Sequence, residues 1–166
     1  LTEYGIIVSF KDNTSGNYDV YGQYVFFNSS LVFDQSGKAI ATGTGAQQNS
    51  TLAYNQNQDQ VFVCYESPDN SETDIHCKMI DLLTQNVGPE IEISSEDKSQ
   101  NNPFVYWSGN SFMIVWEDSR NSVSLNSDVD IYFQEYNNGE LTFSSGGQAI
   151  TTFNQKQENP IITKYS

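Results

Sequence analysis

Scarcity is the first feature of this 166-residue chain: one histidine, two cysteines, four prolines, and seven lysines and arginines against twenty-one aspartates and glutamates. Each shortage removes a class of function. With His76 alone, no G-x-S-x-G elbow and no His-Cys cluster, the chain has no visible apparatus for Ser or Cys nucleophilic catalysis. The S-x-D-x-G-x-T-W box of sialidases is also absent. A net charge of −14 repels the phosphates that dominate nucleic-acid affinity, so neither DNA nor RNA is an expected partner. Apolar runs no longer than Phe112-Met113-Ile114-Val115-Trp116 fall far short of the roughly 18 residues a membrane helix needs, and no membrane insertion is expected. Two cysteines, thirteen residues apart and without nearby histidine partners in a zinc spacing, do not suit zinc. No cofactor or metal is expected. Two carboxylates suffice for a glycosidase, however, and twenty-one acids leave that chemistry open.

What the chain does contain is a repeat of about fifty-five residues. Its anchors are apolar runs ending in an aromatic residue: Ile6-Ile7-Val8-Ser9-Phe10, Val61-Phe62-Val63-Cys64-Tyr65 and Phe112-Met113-Ile114-Val115-Trp116. A polar turn follows each, then a second run: Asp19-Val20-Tyr21-Gly22-Gln23, Asp74-Ile75-His76-Cys77-Lys78 and Asp130-Ile131-Tyr132-Phe133-Gln134. A third segment aligns at Lys38-Ala39-Ile40, Glu90-Ile91 and Gln148-Ala149-Ile150, preceded by Gly-bearing turns at Gly37, Gly88 and Gly147. The fourth is Asn49-Ser50-Thr51-Leu52, Asn102-Pro103-Phe104-Val105 and Asn159-Pro160-Ile161-Ile162. Short segments rich in Val, Ile, Phe and Tyr, bounded by Gly, Asn, Asp, Ser and Pro, read as strands, and none carries a sustained helical period.

Four strands per period is the count of a propeller blade. The expected fold is therefore all-β: three four-stranded antiparallel blades of a β-propeller or propeller-like array, at approximately 1–51, 52–104 and 105–161, with 162–166 starting the next period. Leu1-Thr2-Glu3-Tyr4-Gly5 matches Ile162-Thr163-Lys164-Tyr165-Ser166, which implies further repeats or completion by another copy.

The third copy, Trp116-Glu117-Asp118-Ser119-Arg120 followed by Asp130-Ile131-Tyr132-Phe133-Gln134, resembles a repeat of microbial surface and secreted proteins with a W-E-D-x-R … D-I-Y-x-Q signature. It is similar, more loosely, to the blades of TolB-type propellers. The first copy has Phe10-Lys11-Asp12 and the second Tyr65-Glu66-Ser67, so the arginine is not maintained. The resemblance implies a propeller fold and a binding or scaffold role, and it carries no shared catalytic residues.

Candidate residues are few. Asp19, Asp74 and Asp130 recur at one position per period, where an Asp closing a hairpin loop accepts hydrogen bonds from nearby backbone N–H groups. The loop from Asp118 to Asp130 is five residues longer than its counterparts and brings in Asp128, but it lacks a calcium-loop spacing. Cys64 and Cys77 flank a hairpin folded about residue 70, which permits either a cross-strand disulfide or two buried thiols. His76 aligns with Tyr21 and Tyr132 and fills a flat-ring strand position. Sequons for N-glycosylation occur at Asn13, Asn28 and Asn49, the number this Asn, Ser and Thr content yields by chance.

These readings converge on a non-catalytic extracellular or cell-surface scaffold whose partners are other copies or neighbouring repeats, in a fibre, coat or adhesive assembly. The alternatives are a glycan-binding module using Tyr21, Tyr132 and Gln134, and a fragment of a hydrolase.

Overall fold

The structure is a computed structural model in which residues 5–123 and 128–165 are described. The matching end segments fall partly on residues 1–4 and 166, and part of the extended loop on 124–127, outside the described residues. Twelve strands and no helix occur among the described residues. All pairing within the sheets is antiparallel.

Sheet one contains β1 (Gly5–Asp12), β2 (Asp19–Phe26) and β3 (Lys38–Ala41), in that order. Sheet two is a meander of β4 (Gln48–Asn55), β5 (Gln60–Asp69), β6 (Glu72–Asp81) and β7 (Asn86–Ser94). Sheet three contains β8 (Gln100–Trp107), β9 (Phe112–Asp118) and β10 (Asp130–Asn137), with the short β11 (Glu140–Leu141) and β12 (Gln148–Thr151) both pairing with β10.

Three four-stranded propeller blades are therefore not what the chain forms. The sheets have three, four and five strands, and none closes. The departure has a local origin in the segment beginning at Asn49, which pairs forward with β5 rather than back with β3. Sheet one consequently has β1 at its edge. In sheet three the strand beyond β10 is interrupted at 142–147 and counts as two. Gly88 also departs from its expected turn role: it lies inside β7, and the preceding turn carries its left-handed residue at Gln85, φ 59°.

Pairing is nevertheless equivalent at the anchor positions. Phe10 faces Tyr21, Tyr65 faces His76 and Trp116 faces Tyr132 across the first two runs of each copy. Their ring centroids lie 6.3, 6.4 and 6.2 Å apart. On the third run, Ala39, Glu92 and Ala149 occupy matching sites, which makes Ile40, Ile93 and Ile150 equivalent.

Side chains alternate across a strand, so each sheet has two distinct faces. Val61, Val63 and Tyr65 of β5 pack with Val20 and Ile40 of sheet one. Phe62 and Cys64 of the same strand point the other way and pack with Ile114 and Trp116 of sheet three. Sheet two is thus the middle layer, and β5 is apolar on both faces because both are covered.

Candidate functional site

Most of the chemically capable side chains found at repeated positions bind the chain to itself. Asp118 is fully buried; its carboxylate accepts from Trp116 Nε1 at 2.8 Å and from Arg120 Nε and Nη2 at 2.9 and 2.6 Å. The Arg120 guanidinium lies 4.0 Å from the Tyr132 ring centroid and donates to the Gly146 carbonyl at 2.8 Å. Burial works against the Arg120 charge, but its hydrogen bonds and attraction to Asp118 raise its pKa. Gln134, fully buried, accepts from Phe143 N at 2.9 Å and donates to the carbonyls of Phe143 and Ser144. Gln23 holds the Phe33–Asp34 segment of sheet one in the same way. Tyr132 and Gln134 thus serve the fold, and Tyr21 stacks on Phe10.

The recurrent aspartates are all nearly buried, and two of them accept from side chains: Ser15 donates to Asp19 at 2.6 Å and Asn121 to Asp130 at 2.7 Å. Burial pushes the Asp74 carboxyl up to about 6. Asp128 accepts from Gln155 N at 2.9 Å, so the three loop carboxylates hold separate partners, and no cluster fit for a metal occurs among the described residues.

Cys64 and Cys77 face each other directly in β5 and β6 and form a disulfide on the buried face toward sheet three. His76 Nδ1 stands 2.9 Å from Glu90 Oε1, and Tyr65 donates to Glu90 Oε2 at 2.6 Å. Burial opposes the Glu90 charge, yet the Tyr65 hydrogen bond and His76 hold its carboxyl below the ordinary value. Asn13 and Asn28 are exposed in loops, whereas the Asn49 amide donates to Glu66 Oε1 at 2.8 Å.

Glu66 and Glu117 were invisible as functional residues to sequence reasoning. Each accepts the backbone N–H of the asparagine opening the fourth segment: Asn102 on Glu66 at 2.8 Å and Asn159 on Glu117 at 2.7 Å. Those asparagines and Asn49 share a left-handed φ of 49–59°. The corresponding residue in sheet one is Lys11, which cannot accept.

Among the described residues, two surfaces remain uncommitted. The first is the pair of outer faces of the stack. In sheet one Ile6, Val8 and Phe10 are 53, 42 and 37% exposed, although their equivalents Val61, Val63 and Tyr65 are fully buried. In sheet three Ile150 is 60% exposed, although Ile40 and Ile93 are 3 and 1% exposed.

The second surface is a cleft of about 430 Å³ between sheets two and three, at the end carrying the β4–β5, β8–β9 and β10–β11 turns. Met79, Trp107, Phe112 and Tyr136 form its apolar part, and Asn and Gln side chains with Gly109 and Gly139 form the rest. At the opposite end of the strands, a polar crevice of about 320 Å³ includes Glu66 and Glu117, the two carboxylates engaged by Asn102 and Asn159.

No protein-family model matches the chain, and no curated protein matches it. Fold and site define it as an all-β protein of three antiparallel sheets packed face to face.

Proposed function

We propose that the protein is a non-catalytic scaffold outside the cytoplasm, and that its partner is another copy of the same chain stacked head to tail. The observation that carries this reading is the mismatch in exposure between equivalent residues. The face bearing Ile6, Val8 and Phe10 is the face that sheets two and three bury against a preceding sheet. The face bearing Ile150 is the face that sheets one and two bury against a following one. One molecule therefore presents both halves of an interface that it already makes twice internally.

Such a contact is heterologous, and it propagates into a filament unless its rotation closes a ring. The apolar outer face of β1 is also an edge strand, which invites pairing with further chain. The Cys64–Cys77 disulfide supports an oxidising compartment and hence an extracellular or surface location.

Sedimentation velocity across a concentration series tests the reading. The expected outcome is concentration-dependent growth for the wild-type chain and a monomer for Val8→Lys with unchanged near-UV circular dichroism. A wild-type chain that stays monomeric into the high micromolar range would overturn it.

A further inference from the structure

We infer that the cleft between sheets two and three binds a neutral sugar, a pyranose unit of an oligosaccharide, independently of any assembly through the outer faces. The argument begins with charge. This chain carries twenty-eight charged residues, yet none of the residues lining the cleft is among them. A site for an ionic ligand would present an opposite charge; a site for a polyhydroxylated neutral ligand needs none.

The lining supplies the two kinds of contact that a pyranose offers. Trp107, Phe112 and Tyr136 belong to one aromatic cluster: Trp107 and Phe112 centroids lie 4.7 Å apart, and Phe62 stacks on Tyr136 at 4.9 Å with planes 7° apart. With Phe112 buried at 3% exposure, the apolar surface on offer is that of Trp107 and Tyr136; it suits the C–H face of a sugar ring, and each of the two adds a polar handle. Around it stand carboxamides, each with donors and an acceptor able to meet hydroxyls that are themselves both.

The amides divide into two sets. Asn55 and Asn57 hold their turn together, with Asn57 N donating to Asn55 Oδ1 at 2.9 Å and Asn55 Nδ2 to Gln58 Oε1 at 2.9 Å. Asn57 Nδ2 also reaches Gly109 O at 3.3 Å and ties two of the cleft's turns to each other. The side chains of Gln60, Asn110, Asn137 and Asn138, by contrast, make no hydrogen bond to another described residue.

Backbone demand explains Asn138, which adopts a left-handed φ of 50° beside Gly139. It does not explain Gln60, Asn110 or Asn137, whose backbones are ordinary. Trp107 Nε1 is buried without an acceptor, so a small ring shift that delivered this N–H to a ligand hydroxyl would regain a hydrogen bond. Aromatic surface with a few convergent polar groups in a cleft is the general form of a small-molecule site.

Titration of the full ¹⁵N-labelled chain with neutral trisaccharides tests the inference. Cellotriose, maltotriose, mannotriose and triacetylchitotriose are the probes, with trigalacturonate and the free-amine chitotriose as charged comparisons. At least one neutral sugar should shift the Trp107 indole and the Asn110 and Asn137 amide resonances saturably below ~20 mM. The Trp116 indole, fully buried and bonded to Asp118, should stay in place as the reporter of the fold.

Trp107→Ala should weaken binding at least about tenfold without moving the Trp116 signal. Should that variant fail to fold, Gln60→Ala combined with Asn137→Ala should give the same loss from surface positions. Absence of saturable shifts with every neutral sugar, tighter binding of a charged trisaccharide, or unchanged affinity in variants that fold would each overturn the proposal.

Discussion

Asp74 carries a charge where its surroundings oppose one. Burial is the largest cause of its raised pKa of about 6, and the nearby Asp69, Glu92 and Glu72 add to it, while His76 works the other way. A folded-state pKa above the unfolded value means that Asp74 favours folding most below about pH 4 and that this contribution is lost as pH rises through 6. Asp74→Asn should therefore stabilise the protein by about 2 kcal/mol at pH 7.5 and by almost nothing at pH 3.5, as read from urea unfolding at both pH values. The Cys64–Cys77 bond lies in the same hairpin, closing a separation of 13 residues inside the core between sheets two and three. Replacing both cysteines with alanine should cost about 2–4 kcal/mol in the same assay. The disulfide was one of two readings open in the sequence. The strand register decided it, because only direct opposition of Cys64 and Cys77 brings the sulfurs together.

At the level of strands, one buried side chain secures a whole loop. Gln134 supplies both the acceptor for Phe143 N and the donor for two carbonyls, so Gln134→Ala leaves three partly buried backbone groups without this partner. The expected cost is about 1–3 kcal/mol, with amide exchange at Phe143 accelerated well beyond that at Ile114 in the neighbouring β9. The apolar runs ending in Phe10, Tyr65 and Trp116 were legible as strands because β-branched and aromatic residues are concentrated between turn formers. Strand partnership was not legible. Asn49-Ser50-Thr51-Leu52 has the composition of a strand, but nothing local says whether it pairs back with β3 or forward with β5, and the propeller-blade count depended on that choice. The equivalence of Ile93 with Ile40 was likewise hidden, since matching Gly88, which lies inside β7, to the turn glycines Gly37 and Gly147 sets β7 two residues out of step. Glu66 and Glu117 gave no signal as anchors for Asn102 and Asn159 because their partners are backbone groups 36 and 42 residues away.

Across the whole molecule, the same physics accounts for the interior and for the proposed assembly. Each internal interface joins the aromatic-ended face of one sheet to the Ile40 or Ile93 face of the sheet before it. Ile6, Val8 and Phe10 on one outer face and Ile150 on the other are left in contact with water. Ile6, Val8 and Ile150 are already about half buried, so completing their burial would regain about 1 kcal/mol per side chain, and association at micromolar concentrations against its entropy cost needs several such residues acting together. The cleft was not legible beforehand: its aromatic and amide residues come from turns far apart in the chain, and the sugar-facing residues expected from the repeat, Tyr21, Tyr132 and Gln134, are held by the fold. The most direct test of head-to-tail stacking is complementation between two blocked chains, one carrying Val8→Lys and the other Ile150→Lys, followed by sedimentation equilibrium. Head-to-tail stacking predicts that each variant is monomeric alone and that an equimolar mixture forms a one-to-one dimer through the intact Val8 face of one and the intact Ile150 face of the other. A mixture that remains monomeric, or either variant dimerising alone, would contradict it.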